Sequence, residues 1–224
     1  MEMEIVVPDE VPVMTLPQLT FFPQALLPLH IFEPRYREML RDVLATNRLF
    51  AVAGINTRFT DQFEPPHRIA TVGIVRACQE NKDGTSNLLL QGLARIEVQS
   101  IVREQPYRIA RIRALTSEPG ADDDENIRLR IRLSRLIGTK QRMGGSVPRD
   151  LTRFLRTIED PEIFVDLAAF NLCENPRLKQ KLLETLDVRK RLELLNAHLR
   201  ADIETIKLRK KLQGPLADDR IMRN

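Results

Sequence analysis

The side chains able to do covalent or acid–base chemistry are few and scattered. Three histidines, His30, His67 and His198, stand far apart, and no His-Glu-x-x-His pair sets two of them on one helix face as a zinc site requires. Each reads as a structural histidine whose ring finds a nearby polar partner. Ser86, Ser100, Ser117, Ser134 and Ser146 sit in no Gly-x-Ser-x-Gly elbow. Gly144-Gly145-Ser146 is glycine-rich, but no Gly-Lys-Ser/Thr follows and no strand precedes it, so it reads as a helix–helix connection. Cys78 and Cys173 cannot build a disulfide framework or a four-ligand zinc site, and read as small buried residues in a reducing compartment. Asp122-Asp123-Asp124-Glu125 lacks the alternating ligands, central glycine and distal glutamate of a calcium loop, and reads as a solvated linker. The expectation is no catalytic residue, no metal and no cofactor.

Binding chemistry is better represented. From Ile127 to Arg156 there are nine basic residues against one acid, Asp150. Arg128, Arg132 and Arg135 fall on one helix face, with Lys140 and Arg142 beyond them, a spacing that can track phosphates. No aromatic interleaves Arg128–Arg142, so base stacking has no support, and the adjacent acidic cluster offers a neutralising partner. The second stretch is Leu19 to Phe32. It is apolar, yet Pro23 and Pro28 argue against regular sheet or helix through it. Such a loop either packs over the fold or stands out as an adhesive surface. Its candidate binding residues are Leu19, Phe21, Phe22, Leu26, Leu27, Ile31 and Phe32, joined by Phe59 and Phe63.

The elements that must position these groups fall into two halves. Ten of fourteen prolines stand at or before Pro119 and eight of eleven aromatics at or before Tyr107, so turns and rings concentrate early. Residues 1–120 carry 13 basic and 14 acidic side chains, residues 121–224 carry 22 and 17, so the positive charge belongs to the second half. The first half reads as strands over Val11–Leu16, Phe50–Ile55, Ile69–Gln79, Asn87–Arg103 and Tyr107–Leu115. A helix starts at Pro34 on the apolar spacing Tyr36, Met39, Leu40, Val43. Asn81-Lys82-Asp83-Gly84 is a hairpin turn, and Gly92 marks a bulge in a run too long for a flat strand. About six strands and one helix suggest a small, partly closed antiparallel barrel.

The second half reads as helices over Asn126–Ile137 and Pro148–Ile158, two more opened by Asp160-Pro161 and Asn175-Pro176, and a long one capped by Asp187 and running from Val188 to Gln213. Gly214-Pro215 would end the last helix, leaving a frayed tail over Asp218–Asn224. The domain reading is a β-rich lobe over 1–118, an acidic linker over 119–125 and a helical bundle over 126–224. With 224 residues, 42% of them hydrophobic and 29% charged, the chain can bury a core without staples. A net charge of +4 leans weakly toward an acidic partner. No basic residue precedes Arg35, and Ala25–Phe32 is too short to span a bilayer, so the expectation is a cytoplasmic protein without membrane association.

Pro17, Phe22-Pro23, Leu27-Pro28-Leu29 and Ile31-Phe32-Glu33-Pro34-Arg35-Tyr36 resemble the opening motif of the Lon protease N-terminal (substrate-binding) domain, in its freestanding bacterial form. Asp160-Pro161 with Asp166-Leu167-Ala168, and the run Lys179 to Leu192, are similar to that family's helical bundle. The likeness extends over roughly residues 11–212. It implies an α+β fold: an N-terminal PUA-like antiparallel β pseudo-barrel, then a C-terminal helical bundle ending in a long helix. It also implies recognition of unfolded or damaged polypeptides and a part in oligomer assembly, with no catalytic residues to carry over. The sequence holds no Walker lysine and no Ser–Lys proteolytic pair. The expectation is therefore a non-catalytic polypeptide-binding module, acting as adaptor, holdase or regulator. Unfolded or damaged chains are its first partners, with a full-length protease and a second copy of the chain as further candidates. Nucleic-acid binding through the basic segment is the alternative.

Overall fold

A computed structural model describes residues 6–59 and 63–213. The expected stop at Gly214-Pro215 and the tail beyond lie outside the described residues. Six strands, β1 (Glu10–Leu16), β2 (Leu26–Ile31), β3 (Leu49–Gly54), β4 (Ile69–Glu80), β5 (Ser86–Arg103) and β6 (Ile109–Leu115), form one sheet in the order β2-β5-β4-β3-β1-β6. A further β5–β6 pairing closes β6-β1-β3-β4-β5 into a barrel. Helix α1 (Pro34–Leu44) lies between β2 and β3 in the chain.

The length of β5 makes the closure possible. Its first part, Ser86–Gln91, pairs with β2, and its second, Arg95–Arg103, pairs with β6. The register against β4 slips between Val72↔Ala94 and Gly73↔Gly92, so the expected bulge lies at Gly92. Glycine is required here because a Cβ would stand 2.1 Å from the Phe22 carbonyl oxygen. That contact ties the segment before β2 to the bend, through Gln24 N donating to Gly92 O and Gly92 N donating to Ala25 O, both at 2.9 Å.

Two details depart from the sequence reading. Leu26–Ile31 is a strand despite Pro28, which stands opposite Leu89. It is the edge of the sheet, with β5 as its one strand neighbour among the described residues, and an edge tolerates a residue that cannot donate. And β1 pairs with β3 in parallel, while the other five pairings are antiparallel. The chain returns to β1's neighbour by way of β2 and α1, and such a crossover delivers a strand in the same direction.

Strand alternation sorts the apolar residues into two cores. Leu49, Ala51 and Ala53 point into the barrel, where Val11, Val13, Ala70, Val72, Ile96 and Ala110 fill a narrow interior with small side chains. Phe50 and Val52, on the opposite face of the same strand, join a second core with α1 and the helical lobe. Burial on both faces explains why β3 shows no polar alternation.

The helical lobe comprises α2 (Asp123–Arg142), α3 (Arg149–Arg156), α4 (Pro161–Leu172), α5 (Pro176–Glu184) and α6 (Val188–Gln213). Its starts follow the expected local chemistry. Asp160 accepts from Ile163 N at 2.9 Å, Asn175 from Leu178 N at 3.1 Å and Asp187 from Lys190 N at 2.9 Å. Helix α2 begins earlier than its apolar spacing indicated: Asp122 caps Glu125 N at 2.7 Å, and Asp123–Glu125 form the first turn, where the helix dipole favours carboxylates. Val188, Leu192, Leu195, Leu199 and Ile203 of α6 are buried in one stripe.

Candidate functional site

The apolar candidates divide by the pleat. Phe21, Phe22, Leu27 and Ile31 are no more than 8% exposed and belong to the core shared by the two lobes, and Leu19 packs against it half-buried. Leu26, Phe32, Phe59 and Phe63 are 52%, 61%, 51% and 71% exposed. Along β2 the exposed residues are Leu26, Pro28 and His30, at every second position, and Phe32 continues the series. They therefore share one outward face. His30 stacks on Phe32 with ring centroids 6.0 Å apart, and its Nδ1 meets Asn87 Oδ1 at 2.8 Å. Pro28 has no amide to donate, which interrupts the strand's free edge and blunts it against simple strand addition. What this face presents is mainly side chains.

Beside Phe63 opens a cleft of about 450 Å³, lined by the family motif's Glu33, Arg35 and Tyr36 and by Glu64, Tyr107 and Arg108. Arg35 pairs with Glu64 at 2.9 Å and with Glu33 at 2.8 Å, and its guanidinium lies 4.4 Å from the Tyr36 ring centroid and 5.5 Å from that of Phe63. On its other side Phe63 meets Arg108, at 5.8 Å. Arg108 also donates to the carbonyls of Phe63 and Glu64. Glu64 accepts from the Thr15 hydroxyl at 3.0 Å. Burial pushes the Glu64 carboxyl up, but the bonds from Arg35 and Thr15 outweigh it and hold it below its ordinary range. Arg35 is raised, chiefly by that same bond to Glu64, so both groups stay ionised at neutral pH. Two cations thus hold an exposed phenylalanine ring in place, a way to display an apolar side chain without its collapsing into the core.

The lobes are joined by a buried ionic cluster that sequence reasoning missed. Arg95 of β5 donates to Asp166 of α4 twice, at 2.7 and 2.6 Å, and to the Leu183 carbonyl at 3.1 Å. Arg191 of α6 reaches the same carboxylate at 2.5 Å, then Ser117 at 2.7 Å and Glu162 at 3.0 Å. All three central residues are at most 2% exposed. Glu162 feels burial raising its carboxyl most, yet Ser117 and Arg191 together keep it lowered. The donors here are guanidiniums, which keep their protons, and the Ser117 hydroxyl, which is bonded to Glu162, so the cluster suits fixing the lobes together and not proton transfer. One signal was available: Asp166 interrupts the apolar run Ile163–Phe170 of α4.

The basic candidates also divide. Arg128, Arg132, Arg135 and Arg142 are exposed, whereas Lys140 is 8% exposed and bonded to Asp202 of α6 at 2.6 Å. Glu125 turns to Arg189 of α6, at 3.4 Å, and not to the arginines of its own helix. His67 and His198 each face one carboxylate, Glu184 at 4.0 Å and Asp202 at 3.7 Å. Burial lowers the His67 ring. Among the described residues no three His, Cys, Asp or Glu side chains gather as a metal ion would need, and no helix is long and apolar enough to cross a membrane.

A family model described as the ATP-dependent protease La (LON) substrate-binding domain matches residues 10–201. Among curated relatives, a Lon protease of Anaeromyxobacter dehalogenans is 30% identical over 93% of this chain and 25% of its own length. A Lon protease of Dictyoglomus thermophilum is 26% identical over 95% of this chain and 27% of its own. The chain thus spans about a quarter of the curated relatives it matches. Two solved structures share the fold. The N-terminal domain of Mycobacterium avium complex Lon protease has a TM-score of 0.67 at 17% identity, covering 85% of this chain and 98% of that one. A Lon N-terminal domain protein from Xanthomonas campestris has a TM-score of 0.61 at 24% identity, covering 84% and 97%. The early Phe-Pro and Ile-Phe-Glu-Pro-Arg-Tyr motif, the barrel with its helical lobe and the match over residues 10–201 together place this chain in the Lon substrate-binding domain family.

Proposed function

We propose that this chain binds apolar segments of unfolded or damaged polypeptides through the outward face of the barrel, and serves as a non-catalytic adaptor, holdase or regulator, in the cytoplasm, alongside a full-length protease. The observation that carries the reading is the exposure of Leu26, Phe32, Phe59 and Phe63 on one lobe, two of them held by stacking on His30 or on guanidiniums. Covering what remains exposed of one such phenylalanine contributes about 2–3 kcal/mol before the cost of association. A few such contacts give weak binding that does not depend on client sequence. Four buried candidates, Phe21, Phe22, Leu27 and Ile31, support the face from below.

The test is a titration of a permanently unfolded model protein against the wild type, Phe32→Ser and Phe63→Ser. Both substituted side chains are exposed, so each variant should keep its melting temperature while its affinity falls. Wild-type protein that binds no unfolded chain, or variants that bind as well as wild type, would remove the reading.

A further inference from the structure

Helices α2 and α3 carry a second surface, distinct from the barrel face. Of the nine basic residues between Ile127 and Arg156, two are committed to the fold: Lys140 pairs with Asp202, and Arg130 donates to the Ile158 carbonyl at 3.0 Å and lies over the Phe164 ring. Arg153 pairs with Asp150 at 3.7 Å, and the other six, Arg128, Arg132, Arg135, Arg142, Arg149 and Arg156, are exposed and form no ion pair among the described residues.

Their arrangement is ordered. Arg128, Ile131, Arg135, Gly138 and Arg142 recur at alternating steps of three and four, which puts them on one face of α2 along about 21 Å. Helix α3 lies beside that face. A Cβ at Gly138 would meet Arg142 Nη1 at 3.6 Å and Arg156 Nη2 at 3.7 Å, so guanidiniums from two helices converge over one point of backbone. Arg142 is oriented there by donating to the Thr139 hydroxyl at 3.0 Å. Large apolar side chains stand among the charges: Ile127, Ile131 and Phe154 are 40%, 36% and 49% exposed.

Converging cations without a counterion repel one another, and an anion between them relieves it. The apolar residues narrow the choice of anion. A nucleic acid offers phosphates and stacking bases, but Phe154 is the one aromatic exposed on these helices. A partner with carboxylates and aliphatic side chains on one face satisfies both halves. We infer that the α2–α3 face docks an acidic amphipathic segment of another protein, its carboxylates against Arg135, Arg142 and Arg156 and its apolar side chains against Ile131 and Phe154. The surface selects by charge, unlike the barrel face, and works independently of it.

Fluorescence anisotropy tests this with the full chain and a labelled synthetic peptide of about 14 residues carrying Glu and Leu at helical spacing. Its comparators are a scrambled peptide of the same composition, a single-stranded RNA and phosphatidylserine vesicles. The expected result is binding roughly tenfold tighter to the amphipathic peptide than to the scrambled one, weakened roughly tenfold by R142E/R156E. Ile131→Ser and Phe154→Ser probe the apolar half without touching charge, and each should weaken the same peptide. The inference is overturned if the scrambled peptide binds equally well, if RNA or vesicles bind more tightly through the same arginines, or if the peptide fails to bind at low salt.

Discussion

Asp166→Asn is the perturbation that most sharply probes how the two lobes are held. The carboxylate is 1% exposed and receives three guanidinium bonds of 2.5–2.7 Å, two from Arg95 and one from Arg191. The amide keeps the volume but removes the charge, and its NH2 group turns donors toward donors. Glu162 is then the remaining carboxylate for both cations, at 3.0 Å from Arg191 and 3.6 Å from Arg95. Breaking a buried pair of this kind costs about 3–5 kcal/mol, against a total stability of about 5–15 kcal/mol for a typical domain. For a chain of this size, that lowers the melting temperature by roughly 6–20 °C. Urea unfolding followed by circular dichroism, with a matched thermal melt, measures it. The triple variant Arg95→Met, Asp166→Leu, Arg191→Met removes the three fully buried charges together and should recover most of the loss, because the one charge left, Glu162, is partly exposed and keeps the Ser117 hydroxyl. A loss below about 1 kcal/mol in Asp166→Asn, or a triple variant less stable than the single one, would refute the reasoning.

Gly92→Ala places a Cβ on the Phe22 carbonyl and should cost about 3 kcal/mol by urea unfolding, since backbone lies on both sides of the clash. Gly138→Ala should instead stabilise by about 0.5–1 kcal/mol, because the new methyl meets only the mobile ends of Arg142 and Arg156 at ordinary contact distance and the helix interior gains a better helix former. Glu64 and Glu162 are both held below the ordinary carboxylate range, so as pH falls through about 4.3 the unfolded chain takes up protons first. Stability present above that pH is then lost progressively below it, and thermal melts of wild type and of Glu64→Gln/Glu162→Gln from about pH 6 to about pH 3 should show a shallower fall in the variant.

Features encoded within a few residues were legible in the sequence. Asp160, Asn175 and Asp187 cap their helices because a cap needs only its own next turn, and Asp83-Gly84 closes its hairpin, with Gly84 at φ +77°, for the same reason. Helix α2 could have been read from its true start: Asp122 and Glu125 have capping-box spacing. Features that depend on distant partners were hidden. Whether Pro28 breaks a strand is decided by its place at the sheet edge, which β5 sets some sixty residues later. Arg95, Asp166 and Arg191 meet across two elements of the helical lobe and one of the barrel, and no local pattern announces the meeting. The apolar stretch from Leu19 to Phe32 was visible as unusual, but which of its side chains face out is a property of register, and register follows from the pairing of β2 with β5.

The central claim is that the barrel face, and not the helical lobe, holds apolar segments of unfolded chains. Amide and methyl NMR shifts recorded while an unfolded model protein is titrated in test it most directly. Shifts concentrated at Leu26–Phe32 and around Phe59 and Phe63, with α4 and α6 unchanged, are the predicted result. Shifts confined to the helical lobe, or none at saturating client, would contradict it.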